Sequence, residues 1–315
     1  MSAKFAPSPE QMRARLSLSL LLGLAACSAP APGGRFDDGK NDPNVGSFGT
    51  PKDPGLGTGT PGVGADGCAE AARLVYVVSD ADTLYAFRPS EARFDPVGKL
   101  ACPAGAATPN SMAVDRSGTA WVNYSDGSLF KVSTKDARCE ATSYKAGQGG
   151  FVKFGMAFAT NGSGSRDETL YVVGIDTGDR GKGLAKIDLS TMTLSTIGDF
   201  SGVLTGRGAE LTGTGDGRLF GFFTTKPSAT LAAIDAARGA TSEDRTLSGV
   251  STGVAWAFSF WGGDFWFYTS DGSSTSSVTR LKTSSDRSIG VVKQDVGFTI
   301  VGAGVSTCAP TEPPR

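Results

Sequence analysis

A short hydrophobic stretch, a polar turn containing glycine and a second hydrophobic stretch recur several times along the chain. Residues 211–223 give the clearest copy, with Gly-Asp-Gly at the turn, and residues 112–122 and 257–267 repeat it. A copy with a longer turn covers residues 156–173, and half a copy lies at 301–306. Short hydrophobic runs separated by glycine and aspartate predict pairs of antiparallel strands joined by tight turns.

The spacing of the copies predicts the architecture. Equivalent positions at Met112, Met156, Leu211, Ala257 and Ala303 are 44, 55, 46 and 46 residues apart. The copies are followed by two further short hydrophobic runs, which makes four strands in each unit. Repeated units of this length, each with four short antiparallel strands, are typical of propeller blades.

The two ends of the chain complement each other. The first unit, from about residue 74 to 101, lacks an inner strand, and residues 300–306 supply a spare one. Joining them leaves no unpaired sheet edge at the seam. We therefore predict an all-β, five-bladed β-propeller closed by N- and C-terminal strands. Six blades is the alternative, if an irregular strand pair escapes this pattern.

Residues 1–27 have the pattern of a signal peptide. Basic residues within 12–15 precede an apolar run at 16–24 that is too short to span a bilayer, and small residues follow up to Cys27. This ending resembles the lipobox of bacterial lipoproteins, and the resemblance implies that Cys27 is acylated and becomes the new N-terminus. In the alternative, the signal is an ordinary one and Cys27 is incidental. Ser28 after the cysteine favours the outer membrane, and Met12 is an alternative start.

Residues 28–67 are rich in glycine, proline, threonine, aspartate and asparagine, with almost no apolar periodicity. Such a segment cannot bury enough surface to offset its ordering entropy. We predict a disordered linker over 28–67, the propeller domain over 68–310 and a short tail over 311–315. The formal net charge of -1 does not indicate a nucleic-acid partner. The membrane contact that we expect is made through the lipid anchor.

Four cysteines remain after Cys27, an even number in a chain with an export signal, which predicts two disulfides. Cys68 and Cys308 flank the predicted seam, where antiparallel pairing brings them together, and elimination then pairs Cys102 with Cys139. The sequence contains no histidine and no CxxC spacing, so we predict no zinc site. The absence of histidine also excludes Ser-His-Asp and Cys-His catalysis.

In a propeller, the loops that lead into the inner strands and the loops between second and third strands build one face. The first group provides the candidate ligand-binding residues Asn110, Lys153, Arg207, Glu210 and Trp256. The second group provides acids, above all Asp126 and Asp176, together with Asp80, Asp82, Asp179 and Asp271. Carboxylates in loops could bind calcium, but Asp-Gly pairs are more typical of turns. We therefore predict no cofactor, with calcium as the alternative.

Glu210 is the most informative single residue, because it is a carboxylate near the start of an inner strand with Arg207 close in sequence. One interpretation is a ligand anchor or an acid-base group. The other is a channel carboxylate that is solvated or paired with Arg207. Trp256 begins an aromatic run that continues to Phe267. We interpret this run as packing between blades, with a platform for stacking a sugar or peptide as the alternative.

The blocks at residues 154–158, 211–216, 255–266 and 300–310 resemble recurring blocks of uncharacterised lipoproteins from myxobacteria and their relatives. The resemblance covers about residues 68–310 and implies export, lipidation and a propeller-like repeat, without an activity. We therefore expect a lipoprotein of the bacterial envelope whose propeller binds a protein, peptide or glycan without catalysis. The alternative is a carboxylate-based hydrolase or lyase that uses Glu210 with Asp126 or Asp176, either with or without calcium. A structural envelope component is a third hypothesis.

Overall fold

The structure is a computed structural model that describes Gly64 and residues 66–176, 180–283 and 286–313. These residues belong to the unit Gly57–Arg315. The predicted signal peptide, Cys27, nearly all of the predicted linker and Asp179 lie outside the described residues. Within the described part, no helix has the length and apolar character needed to cross a membrane.

The described residues form twenty strands and four short 3-10 helices. In chain order the strands are β1 (Val75–Ser79), β2 (Thr83–Arg88), β3 (Arg93–Lys99), β4 (Pro109–Val114), β5 (Thr119–Tyr124), β6 (Leu129–Ser133), β7 (Cys139–Ala141), β8 (Lys153–Thr160), β9 (Glu168–Ile175), β10 (Gly181–Asp188), β11 (Thr193–Gly198), β12 (Ala209–Gly213), β13 (Leu219–Phe223), β14 (Thr230–Ile234), β15 (Thr241–Thr246), β16 (Ala255–Trp261), β17 (Asp264–Ser270), β18 (Ser277–Leu281), β19 (Ile289–Lys293) and β20 (Ile300–Gly304). The 3-10 helices are Glu70–Arg73, Pro89–Glu91, Gln148–Gly150 and Gly202–Leu204.

The strands form five antiparallel sheets of four strands each. Four sheets take consecutive strands, from β4 to β7, β8 to β11, β12 to β15 and β16 to β19, and the fifth has the order β20-β1-β2-β3. The inner strands β4, β8, β12, β16 and β20 each contact the next one and close a ring. The prediction of a five-bladed β-propeller closed from both ends is therefore confirmed, in place of the six-bladed alternative.

The seam joins the first and last strands of the ring. β20 pairs antiparallel with β1, with Val77 opposite Ala303, so the C-terminal strand is the innermost strand of the first blade. Ala303 occupies the position that the repeat makes equivalent to Met112 on β4, which is why the inner-strand pattern predicts the closure.

The aromatic run of β16 and β17 packs between blades. Because side chains alternate along a strand, Phe267 faces the preceding blade, where its ring centroid lies 4.9 Å from that of Phe222. The next residue, Tyr268, faces the following blade, where its ring centroid lies 5.6 Å from that of Phe87. Burial of these rings accounts for the aromatic run, as predicted.

Glycines let neighbouring inner strands approach each other closely. A Cβ on Gly155 of β8 would lie 2.2 Å from the carbonyl oxygen of Ala209 on β12. A Cβ on Gly213 of β12 would lie 2.1 Å from the carbonyl oxygen of Phe158 on β8. Both contacts are with backbone atoms, which cannot rotate away as a side chain can. Only glycine permits the spacing of these two strands.

Both predicted disulfides are present. Cys68 and Cys308 have Cα atoms 5.8 Å apart and are separated by 240 residues in sequence, so their bond joins the segment before β1 to the segment after β20. Cys102 and Cys139 have Cα atoms 5.0 Å apart and are separated by 37 residues. The first bond therefore reinforces the seam, and the second links the outer parts of the first two blades.

The segment after β20 lies against the turns between first and second strands of other blades. The backbone N–H of Gly262 donates to the carbonyl oxygen of Pro310 at 2.7 Å, and Nη1 of Arg116 donates to Oγ1 of Thr307 at 3.1 Å. Gly215 approaches Thr307 so closely that a Cβ there would lie 2.2 Å from its carbonyl oxygen. The chain's own C-terminal segment therefore covers this end of the ring.

Glu168, the first residue of β9, takes part in the contacts at the covered end. Its Oε1 accepts the backbone N–H of Arg116 at 2.9 Å, and its Oε2 accepts the hydroxyl of Thr307 at 2.8 Å. Burial raises the pKa of Glu168 to about 7, although these two hydrogen bonds act in the opposite direction. Glu168 is therefore a group whose protonation changes near neutral pH in the folded state.

Replacing Glu168 by glutamine is expected to remove a pH-dependent part of the stability. Because the folded-state pKa lies above the unfolded value of 4.5, the folded chain keeps a proton that the unfolded chain loses between these two pH values. This contribution is fully present below about pH 4.5 and is lost as the pH rises through about 7, a change of about 3 kcal/mol. Urea unfolding at pH 4.5 and pH 8 should show a smaller fall in stability for Glu168→Gln than for the parent.

The exposed Glu140 of β7 offers a matched control. Glu140→Gln should show the same fall in unfolding free energy as the parent between the two pH values. If Glu168→Gln also keeps the full fall, the buried carboxyl of Glu168 is not the group responsible.

Candidate functional site

A cavity of about 140 Å³ lies at the end of the channel where the loops lead into the inner strands. Every inner strand contributes to its wall: Asn110 from β4, Lys153 from β8, Glu210 from β12, Trp256 from β16 and Val301 from β20. The wall is completed by Pro109, Ile175, Val254 and Ala255. We call this cavity the channel-mouth pocket. It brings together four of the predicted candidates, Asn110, Lys153, Glu210 and Trp256.

Glu210 is the buried carboxyl group of the pocket, with only 3% of its surface exposed. Its Oε2 accepts the hydroxyl of Ser111 on β4 at 2.6 Å. Burial raises the pKa of Glu210 well above its usual value, while the hydrogen bonds from Ser111 and the backbone of Met156 oppose the rise. The environment therefore favours the protonated, uncharged form of this side chain.

Arg207 does not pair with Glu210. Within the described residues, the partners of Glu210 are Ser111 and the backbone of Met156. Arg207 lies in the loop before β12, where it forms an antiparallel bridge with Arg180, and it does not line the pocket. The hypothesis of an ion-paired or solvated channel carboxylate at Glu210 is therefore wrong. Glu210 is buried among the inner strands of the ring, whereas Arg207 lies in the loop before β12, outside the pocket.

Asn110 is held by a network of amides. Its Nδ2 donates to Oδ1 of Asn123 at 3.1 Å and to the carbonyl oxygen of Phe154 at 3.3 Å. Asn123 is fully buried, and its Nδ2 donates to the carbonyl oxygen of Val152 at 3.2 Å. Because these bonds connect β4 and β5 with the start of β8, they fix one side of the pocket rigidly.

Two donors of the pocket have no partner among the described residues. Trp256 is half-buried, and its indole Nε1 is shielded from solvent without a hydrogen-bond acceptor. Lys153 is exposed at the start of β8, and no described hydrogen bond or ion pair occupies its ammonium group. A buried N–H without an acceptor is unfavourable. Of the two donors, the exposed ammonium group of Lys153 is the one that a ligand reaches without a change in the position of the side chain.

The predicted acids Asp126 and Asp176 lie elsewhere. Both are exposed, and neither lines the pocket. Oδ1 of Asp126 accepts the backbone N–H of Ser128 at 2.9 Å and its hydroxyl at 2.6 Å, as expected of a turn residue. Asp271 makes the same pair of bonds with Ser273. The structure thus supports the interpretation of these Asp-Gly pairs as turns.

No metal-binding group is recognisable in the described part of the chain, where no three His, Cys, Asp or Glu side chains come together. Calcium binding by the loops that contain Asp80, Asp82 and Asp176 stays the alternative to the prediction of no cofactor, and it would use backbone carbonyls as further ligands.

Sequence reasoning missed several residues of the site. Ser111 on β4 and Asn123 on β5 are buried polar residues. Ile175 and Val301 line the pocket, but in the sequence they look like ordinary strand residues. The one signal for Ser111 was its polarity at a position next to Met112, inside an otherwise apolar stretch. Nothing in the sequence indicated that Glu210, 99 positions away, would be its partner.

The chain is a five-bladed β-propeller protein. No protein-family model matches it, and no curated protein matches it. Solved structures similar to it include the Dos1 propeller, with 11% identity and a TM-score of 0.39 over 71% of this chain. Hydrazine synthase of Kuenenia stuttgartiensis has 15% identity and a TM-score of 0.41 over 79% of this chain and 72% of its own.

A gluconolactonase of Xanthomonas campestris is also similar, with 15% identity and a TM-score of 0.44 over 74% of this chain and 75% of its own. This chain spans 56% of the length of the Dos1 propeller chain. At such identities the likeness concerns the β-propeller fold alone. Of the predicted resemblance to myxobacterial lipoproteins, the propeller repeat is the part that the five four-stranded sheets of this structure show.

Proposed function

We propose that this protein is an exported binding protein whose propeller captures an end group of a protein, peptide or glycan in the channel-mouth pocket, without catalysis. The observation that carries the proposal is the convergence of all five inner strands on one cavity. Ligand pockets are concave, mostly apolar and provided with a few convergent polar groups. The pocket combines apolar walls with Asn110, Lys153, Glu210 and Trp256 in this way.

The rim of the pocket supports a binding role. Val152, Val203 and Val254 are 42%, 77% and 66% exposed, and they lie in the loops that lead into β8, β12 and β16. Exposed apolar side chains on one face of a protein are typical of interaction sites. A ligand whose end group enters the pocket would cover these valines with its remaining part.

The size of the pocket supports an end group rather than a whole macromolecule. A cavity of about 150 Å³ admits a benzene-sized group, and the pocket has about 140 Å³. One amino-acid side chain or one sugar ring is of this order. The remaining affinity would come from contacts around the rim.

The hydrolase or lyase alternative has less support. A mechanism with two carboxyl groups needs both of them within reach of one substrate. Glu210 is the one carboxyl group among the described residues that line the pocket, since Asp126 and Asp176 lie outside it. A catalytic pair built from these residues would require a large rearrangement of the loops.

Filling the pocket should abolish binding. Val254 lines the pocket and is 66% exposed, so Val254→Trp should block the cavity while leaving the fold intact. We expect that at least one member of a peptide and glycan panel raises the melting temperature of the parent, because a ligand of the native state stabilises it. Val254→Trp should lose this shift.

Val291→Trp is the matched control, because Val291 is an exposed valine of the outer strand β19 and does not line the channel-mouth pocket. It should keep the shift of the parent. A shift that persists in Val254→Trp, or a panel without any effect on the parent, would refute a ligand site at this pocket.

We further propose that the protein is anchored by lipid at Cys27 in the bacterial envelope, in the outer membrane. The pattern of residues 12–27 supports export and acylation. The two disulfides support an oxidising compartment outside the cytosol. Two or more acyl chains on one cysteine hold a protein on a membrane almost permanently.

Cys27→Ser is expected to move the protein from the membrane fraction to the soluble fraction. The measurement is fractionation of expressing cells, with inner and outer membranes separated by density. Ser28→Ala is the matched control and should leave the protein in the outer-membrane fraction. Retention of Cys27→Ser on membranes would argue against lipid anchoring.

A further inference from the structure

One side of the channel-mouth pocket carries basic residues without acidic partners. Arg180 and Arg207 stand directly opposite each other in an antiparallel bridge. Opposite residues in such a bridge project their side chains to the same side, and like charges there destabilise the pairing. Several arginines of the blades pair with nearby acids, as Arg218 does with Asp216 at 2.9 Å. Neither Arg180 nor Arg207 has such an ion pair with a described residue.

These arginines lie beside the pocket. Ile175 of the pocket wall stands opposite Lys153 on one side and opposite Gly181 on the other. Gly181 directly follows Arg180. A Cβ on Gly208, which follows Arg207, would lie 3.7 Å from Cγ2 of Ile175. Lys153 therefore lines this side of the pocket, and Arg180 and Arg207 add two cationic residues beside it, outside the pocket wall.

Inside the pocket, few polar groups of the described residues are free to bind a ligand. The indole N–H of Trp256 has no acceptor among the described residues. Glu210 is buried, its carboxyl already accepts the hydroxyl of Ser111, and burial favours its uncharged form. Asn110 uses its Nδ2 group within the amide network, which leaves its carbonyl oxygen as an acceptor. The charge of the pocket and its cationic side is therefore positive.

We propose that the channel-mouth pocket binds the C-terminal carboxylate of a peptide that ends in a small apolar residue, an inference that rests on the binding function proposed above. A carboxylate accepts several hydrogen bonds and is attracted by Lys153 and the Arg180–Arg207 pair. A small apolar side chain fits the walls formed by Ile175, Val254 and Val301. The side-chain carbonyl oxygen of Asn110 would accept a hydrogen bond from the last peptide N–H of this ligand.

A sugar ring fits this arrangement less well. Its hydroxyl groups need acceptors as well as donors, and the side-chain acceptors among the described lining residues are Glu210 and Asn110. The apolar walls likewise match a valine- or alanine-sized side chain better than a ring of hydroxyls. A uronic acid would share the carboxylate, and the experiment therefore includes one.

The test is isothermal titration calorimetry of the full chain at pH 7 with four probes. These are N-acetyl-Ala-Ala with a free carboxylate, the same peptide as its C-terminal amide, glucuronate and glucose. We expect the free peptide acid to bind at least about tenfold more tightly than the amide, because the amide loses the charge-assisted hydrogen bonds. Added salt should weaken binding of the acid.

Two variants and a control locate the effect. Lys153→Met should weaken binding of the peptide acid about tenfold and leave binding of the amide unchanged. Arg207→Gln should weaken binding of the acid by less, because Arg207 does not line the pocket. Lys145→Met removes an exposed lysine that does not line the pocket and should have no effect. A folded Lys153→Met protein, checked by its melting temperature, that binds the acid like the parent would overturn the proposal.

The remaining outcomes separate this inference from the proposed function. Equal affinity for acid and amide, or tight binding of glucuronate or glucose instead of the peptide acid, would overturn the carboxylate-peptide proposal. If the probe that binds in either case no longer binds to Val254→Trp, the proposed binding function stands. If none of the four probes and no member of the wider panel binds the parent, both proposals fail.

Discussion

Replacing Cys68 and Cys308 by alanine is expected to lower the free energy of unfolding by about 5 kcal/mol. The bond closes a loop of 240 residues, and a loop of this length strongly restricts the unfolded chain. In the folded state the seam keeps its backbone pairing between β1 and β20, so the ring stays closed without the bond. The variant should therefore fold and unfold at a lower urea concentration, measured without reductant.

The second disulfide provides an internal comparison. Cys102 and Cys139 enclose 37 residues, so their replacement by alanine should cost about 4 kcal/mol, less than the seam disulfide. The loss of unfolding free energy should be larger for the seam variant, because the loop that it opens is longer. A larger loss for the Cys102 and Cys139 variant would show that native contacts, and not loop length, dominate.

Gly213→Ala is expected to destabilise the propeller by about 3 kcal/mol, the upper part of the usual range for overpacking. The new Cβ would lie 2.1 Å from the carbonyl oxygen of Phe158 and 2.8 Å from the Cβ of Ala159. Relief requires β12 and β8 to separate, which would disturb the contact between two neighbouring inner strands. Thermal or urea unfolding would measure the effect.

The matched control is Gly290→Ala on the outer strand β19. A Cβ at Gly290 has no atom within 4 Å, so this substitution should change the stability by no more than about 0.5 kcal/mol. Gly290 and Gly213 are both strand glycines, and the comparison therefore isolates the close approach of the inner strands. Equal stability of the two variants would contradict the tight spacing of β8 and β12.

The overall architecture was predictable because its signals are local and repeated. Apolar alternation and glycine turns specify strand pairs over a few residues, and the positions from Met112 to Ala303 repeat them. Four cysteines, two of which lie next to the strands that close the ring, were enough to predict the disulfides. Candidate residues at the starts of inner strands could be named because such positions share one end of a propeller.

The composition of the site was predicted only in part, because its contacts join distant blades. Glu210 bonds Ser111 across the ring, and no short-range pattern links two residues 99 positions apart. Arg207 is three residues from Glu210 in sequence, yet its bridge is with Arg180 in another blade. Proximity in sequence therefore suggested the wrong partner.

The sequence by itself determined the number of blades, the closure of the ring and the pairing of cysteines, because periodic strands and turns carry this information locally. The tertiary structure decided which polar groups are buried and which are left without partners. Those properties depend on how five inner strands from separate parts of the chain converge. The burial of Glu210 and the indole N–H of Trp256, which has no acceptor among the described residues, follow from that convergence.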